Sequence, residues 1–187
     1  MCYTLNMKLK IIKDSNPIMR EKSLPVEMPL SQEDKITLDN MLEYLKLSQD
    51  EEYAKKHGLR SGVGLAAIQI GLLKRMFCVY LDEGDGEVFQ VEFVNPRIVE
   101  SSVKKCAIQS GEGCLSVDKD VPGLVHRSYK IKIVGYDAIT GENVEITASG
   151  YLAVVLQHEY DHLDGMFYYD RIDKNNPDMP LGGEELL

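Results

Sequence analysis

The feature that most constrains this sequence is the pentapeptide H-E-Y-D-H at residues 158–162, which follows a strongly apolar segment at 151–156. That segment predicts a helix that begins near Ser149 and is buried against a sheet, because it is apolar nearly all round. Residues four apart share one face of a helix, so the two imidazoles lie one turn apart beside the carboxylate of Glu159. Two histidines also occur four apart by chance near helix ends, but polar groups that enter a buried environment are costly unless they are paired. The motif therefore predicts two metal ligands and a general base.

A catalytic metal site needs a third protein ligand and an open position for water. The extended zinc-peptidase pattern asks for a third histidine where this sequence has Tyr168, and tyrosine is a poor substitute. A downstream glutamate would have to be Glu184 or Glu185, in a segment that we expect to be a surface tail. Cys114 is favoured, because its neighbouring glycines let the backbone approach closely and a metal would hold its thiolate deprotonated. The alternative for Cys114 is a small buried hydrophobe.

The four cysteines include no CxxC pair, and a disulfide framework is the weaker interpretation. Each of the other three cysteines is therefore interpreted from the residues around it. Cys78 lies in an apolar run and is predicted to be core. Cys2 is terminal. Cys106 could also bind a metal, although it follows two lysines without a comparable glycine setting.

Length and composition describe one globular domain. The 187 residues are 44% hydrophobic and 27% charged, and no repeat, low-complexity tract or linker divides them. We expect a single catalytic domain over residues 1–187, with a surface tail from about residue 174. The net charge of −9 argues against sequence-independent binding to nucleic acid or to anionic membranes. Residues 1–17 build no signal-peptide core and no long apolar run follows, so we interpret the chain as cytoplasmic with no membrane partner.

The order of predicted elements favours an α+β fold in which antiparallel strands pack around a central buried helix that carries the H-E-x-x-H motif. An N-terminal helix is predicted from about Ser31 past Lys46, with an extension over 49–56 that Gly58 could stop. Pro96 and Pro122 interrupt the strand pattern. The predicted strands are 76–81, 91–94, 130–136 and 143–147.

A glycine-rich segment at 61–71 is a third candidate for function. It lacks the Lys-Ser/Thr of a phosphate-binding P-loop, and Ala67 replaces the third glycine of a dinucleotide fingerprint, which is weak alone. The segment offers exposed backbone at its glycines and one amide, Gln69, whose plain alternative is a helix-surface side chain.

Three separated segments resemble, in order, the three motifs of peptide deformylases: G-V-G-L-A-A-I-Q at 62–69, E-G-C-L-S at 112–116 and Q-H-E-Y-D-H-L-D-G at 157–165. The resemblance runs from about residue 14 to residue 173, and the intervening lengths are similar to the longer, Gram-positive-type form. Two departures are Ile68 and His126, at positions where the family commonly has proline. Neither removes a catalytic group, but loss of proline frees the backbone φ angle.

The resemblance implies a metal-dependent hydrolase. Cys114, His158 and His162 would surround one divalent ion, with water in the fourth position. In the family the ion is usually Fe(II), although the same ligands would also hold Zn, Ni or Co.

The resemblance also implies the reaction, in which the formyl group is removed from N-formylmethionyl peptides and formate is released. Glu159 would act as the general base. The Gln69 side-chain amide and the Leu115 backbone N–H would stabilise the oxyanion.

Substrate contacts are predicted from helix geometry and exposed backbone. Tyr151, Val154 and Val155 share the face of His158 and would wall an apolar methionine pocket, although both valines could be plain core. The peptide beyond the methionine would add as a strand to exposed backbone. The backbone positions predicted for this contact are Gly62, Val63, Gly64, Ser110 and Gly113.

One hypothesis and several alternatives complete the interpretation. Arg127 would pair with Glu112 or Asp161 to orient the site, its alternative being a surface cation. A metallopeptidase is disfavoured by the missing third histidine, and a catalytically silent metal-binding protein by retention of Glu159 and Gln69. A transient encounter with the ribosome is expected only because formylated chains arise there.

Overall fold

The computed structural model describes residues 9–82 and 86–187, so Cys2 lies outside the described part. The fold is α+β. Its helices are α1 (Gln32–Gln49), α2 (Glu51–His57) and α3 (Gly150–Leu163), with short 3-10 helices at Pro17–Arg20, Ala67–Ile70 and Tyr168–Arg171. Its strands are β1 (Gly64–Ala66), β2 (Met76–Asp82), β3 (Val88–Ser101), β4 (Lys105–Ala107), β5 (Arg127–Ser128), β6 (Lys130–Asp137), β7 (Glu142–Ser149) and β8 (Glu185–Leu186). Within the described ranges, no helix combines the length and apolar character needed to cross a membrane.

The strands form two sheets. The larger has the order β1-β2-β3-β6-β7 and is antiparallel throughout, as the sequence predicts for its four long strands. The smaller has the order β5-β4-β8, and β8 runs parallel to β4. Strands β1, β4, β5 and β8 have only two or three residues each, which is too short for a periodic sequence signal.

Alternation along β2 gives the larger sheet two buried faces. Phe77 and Val79 belong to the cluster that contains the apolar residues of α3, whereas Met76 and Cys78 belong to the cluster that contains those of α1. Successive side chains of a strand point to opposite faces, so a continuous apolar run fits a strand covered on both sides. The prediction that Cys78 is core is confirmed, since its side chain is fully buried.

The N-terminal helical region is two helices. The Ser31 side chain caps α1 by accepting the Asp34 N–H, as the sequence predicts. The predicted extension to residue 56 is a separate helix, because Asp50 is extended and its side chain accepts the Tyr53 N–H to start α2. Gly58 ends α2 with a φ of 64°.

Helix α3 begins at the predicted position and packs against β1, β2 and β7. It contains residues 158–162, and most of its side chains are buried, including those of His158, Glu159 and His162. The helix therefore delivers polar groups into the interior beside β1.

The C-terminal residues lie largely at the surface but are bound to the domain. Residues 185 and 186 pair with β4, and the Leu124 N–H donates to the Pro177 carbonyl. The imidazole of His126 contacts both carboxylate oxygens of Glu184 at 2.8 and 2.9 Å. Long-range contacts of this kind leave no local pattern in the sequence.

The expected interruption at Pro96 is wrong, because β3 continues through it as a bulge. The register with β6 shifts between Val94 and Arg97, and Asn95 adopts a φ of 51°. The Asn95 amide holds this conformation by accepting the Val26 N–H and donating to the Val26 carbonyl, each at 2.8 Å. Proline cannot donate to the ladder, and a bulge is one of the few places in a sheet that tolerates it.

We predict that Asn95→Ala lowers the free energy of unfolding by about 2–4 kcal/mol. The substitution removes two hydrogen bonds, and it leaves alanine in a left-handed conformation with no polar side chain to stabilise it. Asn95→Gly loses the same hydrogen bonds without the backbone penalty, so it should cost about 1 kcal/mol less. Urea unfolding of the three proteins measures both values. Equal losses in the two variants would show that the backbone conformation at Asn95 contributes nothing.

Candidate active site

Two chain-distant segments bring the candidate metal ligands together. Helix α3 supplies His158 and His162, and the loop after β4 supplies Cys114, whose Sγ lies 3.3 Å from His162 Nε2. One ligand atom from each of these three buried residues lies within 4.8 Å of the other two. A thiolate and two imidazoles in this arrangement form a donor set suited to a divalent transition metal.

The orientation of His158 supports the same fit. Its Nδ1 lies 2.8 Å from Glu112 Oε2, which leaves Nε2 for a ligand. Burial opposes ionisation of Glu112, but hydrogen bonds from His158 and Arg127 outweigh it and lower the pKa of this carboxyl to about 2. Glu112 is therefore ionised at neutral pH and fixes the ring of His158.

Arg127 binds both carboxylates named in the sequence hypothesis. Its guanidinium donates to Glu112 at 2.6 and 2.9 Å and to Asp161 at 2.9 Å, and it is fully enclosed with them. Asp161 also accepts two hydrogen bonds from Arg171, at 2.5 and 2.6 Å. The predicted pairing of Arg127 is confirmed with both partners, and the alternative of a surface cation is wrong.

Glu159 is a buried carboxyl group without a full set of partners. Its Oε2 is enclosed and has no hydrogen-bond partner among the described residues. Burial, the largest influence, raises the pKa of Glu159 to about 7. A β-carbon at Gly64 would collide with this carboxyl group, so only glycine there leaves room for it. An orphaned, easily titrated oxygen in a buried site is a feature of a proton-transfer group.

Gln69 is a buried side chain and not the helix-surface amide of the plain interpretation. It lies in the short 3-10 helix Ala67–Ile70 after β1. Its Oε1 accepts the Ala66 N–H at 2.7 Å, so its Nε2 is directed to Ser116 Oγ at 3.2 Å and toward Cys114 Sγ at 3.6 Å. The Gln69 amide nitrogen therefore faces Cys114, one of the three candidate metal ligands.

The predicted binding residues line a single cavity of about 450 Å³. Within the described residues, the Leu115 N–H donates no hydrogen bond. The predicted residues on the cavity wall are Gly62, Val63, Gly64, Gln69, Ser110, Gly113, Cys114, Leu115, Tyr151, Val154, Val155, His158 and Glu159. Sequence reasoning missed Arg60, Ser61 and Ile108, which also line it and whose only signal is adjacency to the recognised segments.

The other candidate ligands lie elsewhere. Glu184 contacts His126, and Glu185 forms an ion pair with Lys104 on the smaller sheet. Neither belongs to the Cys114, His158 and His162 group. Ile68, one of the two departures from the family pattern, is fully buried in the core.

We predict that Arg127→Met lowers the free energy of unfolding by about 3 kcal/mol or more, because it leaves two buried carboxylates short of a cation. Arg171→Met is the matched control. Its side chain is 38% exposed and Asp161 keeps Arg127, so the loss should be about 1 kcal/mol or less. Urea unfolding at equal metal loading measures both, and similar losses would contradict a special role for the enclosed guanidinium.

Comparison with known proteins gives a consistent result. Residues 8–178 match the family model described as polypeptide deformylase. A peptide deformylase of Shouchella clausii is 50% identical over 163 residues, which covers 87% of this chain and 88% of that relative. A peptide deformylase of Staphylococcus epidermidis is 52% identical over 171 residues, with coverages of 91% and 93%.

Solved structures agree. The crystal structure of peptide deformylase from Thermotoga maritima has a TM-score of 0.69 at 33% identity and covers 88% of this chain and 97% of that one. A plant peptide deformylase has a TM-score of 0.74 at 29% identity, with coverages of 95% and 87%. The family match, the identity of about half with relatives over most of their length and the shared fold all agree, and the chain belongs to the peptide deformylase family.

Proposed function

We propose that this chain removes the formyl group from the N-formylmethionyl ends of newly made peptides and releases formate. The observation that carries the proposal is the buried Glu159 carboxyl group, which shares one open cavity with Cys114, His158 and the Gln69 amide. Membership of the deformylase family supports the same reaction. A cytoplasmic location and a transient encounter with the ribosome follow from where formylated peptides arise, and they belong to this proposal.

The metal site is proposed from the donor set. Cys114, His158 and His162 would hold one divalent ion, Fe(II) by resemblance to the family, with Zn, Ni or Co compatible with the same ligands. When bound, such an ion supplies Lewis acidity and a water molecule of lowered pKa.

Glu159 moves the proton. It accepts a proton from the attacking water, and it returns that proton to the amine as the formyl carbon–nitrogen bond breaks. Formate and a free amino terminus result. The pKa of about 7 suits both directions of transfer, because a general base that later acts as an acid works best near the operating pH.

Gln69 and Leu115 stabilise the oxyanion. The Gln69 Oε1 is taken by the Ala66 N–H, so Nε2, which lies near Ser116 Oγ and Cys114 Sγ on the cavity wall, is the group that Gln69 would offer to an oxyanion. The Leu115 N–H is available on the same wall. Two fixed donors in a buried site stabilise developing negative charge without reorganisation.

The substrate would bind along the edge of the larger sheet. Strand β1 is the terminal strand of that sheet and is bonded to β2 on one side. Residues 62–64, which lead into this strand, line the same cavity as residues 110–113, which supports strand addition by an extended peptide. Tyr151, Val154 and Val155 lie on the cavity wall and would receive the methionine side chain. Backbone recognition of this kind tolerates many peptide sequences.

We predict that the reduced, metal-loaded protein releases formate from an N-formylmethionyl tripeptide and that Glu159→Gln lowers kcat by about 10²- to 10⁴-fold, because the proton acceptor is lost. The assay is run without oxygen, since a thiolate ligand oxidises readily. Metal content and thermal unfolding of the variant serve as controls. Absence of formate release by the fully loaded wild-type protein would refute the proposed function.

We also predict that Gln69→Ala lowers kcat by about 10²- to 10³-fold, the usual effect of removing one oxyanion donor. Gln157→Ala is the matched control. Among the described residues, that amide forms hydrogen bonds only with the backbone of Ser128 and Ala153, and it does not line the cavity. Its loss should lower stability and leave kcat nearly intact. Steady-state kinetics separates the two variants, and equal kcat values would argue against Gln69 as a donor.

A further inference from the structure

Three consecutive residues near the N-terminus connect the two segments that carry the proposed oxyanion donors. The Ile12 N–H donates to the Gln69 carbonyl at 2.7 Å, and the Asp14 N–H donates to the Ser116 carbonyl at 2.9 Å. Between them, the ammonium group of Lys13 donates to the Leu115 carbonyl at 3.1 Å. Residues 12–14 thus bridge the 3-10 helix after β1 and the loop after β4 that carries Cys114.

The hydrogen bond from Lys13 holds the peptide plane between Leu115 and Ser116, which also contacts the candidate metal site. The Leu115 carbonyl and the Ser116 N–H belong to the same planar unit, in which they point in opposite directions. On its far side the Ser116 N–H donates to Cys114 Sγ at 3.4 Å. Lys13 therefore holds one end of a plane whose other end contacts a candidate metal ligand.

The same plane controls the neighbouring donor. Only two soft dihedral angles of Leu115 separate this plane from the preceding one, which carries the Leu115 N–H. If the 115–116 plane rotates, the Leu115 N–H changes direction relative to Gln69 Nε2. The lysine charge also polarises the carbonyl, which strengthens the hydrogen bond on the other side of the amide.

We propose that Lys13 is a positioning residue for deformylation, which aligns the Leu115 N–H with the Gln69 amide and the Ser116 N–H with the Cys114 sulfur. The inference rests on the proposed function and deepens it. Lys13 does not belong to the residues that line the cavity, and it acts through the Leu115–Ser116 peptide.

The position of Lys13 separates this role from a general effect on stability. Its side chain is 41% exposed, and its ion pair with Asp118, at 2.7 Å, joins it to a side chain that is 74% exposed. Exposed ion pairs contribute little to folding. Removal of the ammonium group should therefore disturb alignment more than it disturbs the fold.

The test compares Lys13→Met with Lys13→Arg and Asp118→Asn. In Lys13→Met, kcat for a formylated tripeptide should fall roughly 10- to 100-fold with KM nearly unchanged, since small misplacements of catalytic groups have effects of this size. Lys13→Arg keeps a cationic donor for the Leu115 carbonyl and should restore most of kcat. Asp118→Asn removes the ion pair but not the Lys13 bond, and it should keep kcat. Thermal unfolding of all three should stay close to that of the wild type.

A second measurement does not depend on turnover. In the Co(II)-loaded protein, the sulfur-to-cobalt absorption band should shift in Lys13→Met and return in Lys13→Arg, because the hydrogen bond to Cys114 Sγ changes. An unchanged band, full activity of Lys13→Met, or an equal loss in Asp118→Asn would overturn the inference while the proposed function stands. If the wild type releases no formate, the proposed function fails, and the cobalt spectrum still tests the contact.

Discussion

The enclosed guanidinium of Arg127 is the interaction on which the rest of the site depends. It joins Glu112, in the loop that carries Cys114, to Asp161, in helix α3. A buried charge without a partner is strongly destabilising, so the guanidinium and the two carboxylates hold one another in place. Because Glu112 also holds His158, the loop that carries Cys114 is kept in one register against the helix that carries the two histidines.

The larger sheet gives this network its geometry. Its two faces are covered by α1 and α3, whose apolar side chains lie in separate clusters on either side of β2 and β3. The sheet therefore cannot shift its register without moving apolar side chains from one helix to the other. Strand β1 at its edge is paired with β2, and its first residue, Gly64, lines the cavity. The same packing therefore fixes the register of the larger sheet and leaves the edge at β1 available for a peptide.

Sequence reasoning predicted the elements whose information is local. The apolar run before residue 158 and the Ser31 cap depend on neighbours a few residues away, and both helix starts agree with the structure. The bulge at Asn95, the parallel pairing of β8 and the burial of Gln69 depend on partners far along the chain. Val26 lies 69 residues from Asn95, so nothing beside Asn95 shows that its amide will be satisfied.

The positions of Gly64 and Glu159 show why a motif can be recognised before its geometry is known. The glycine is required because the carboxyl group of a residue on another element occupies the space of its side chain. The carboxyl group in turn stays ionisable near neutrality because it is buried there with one oxygen unpartnered. The residue type at position 64 thus depends on the side chain at position 159, although 95 positions separate them in the chain. The sequence motifs contain both Gly64 and Glu159, but only the packing of β1 against α3 shows that the two are linked.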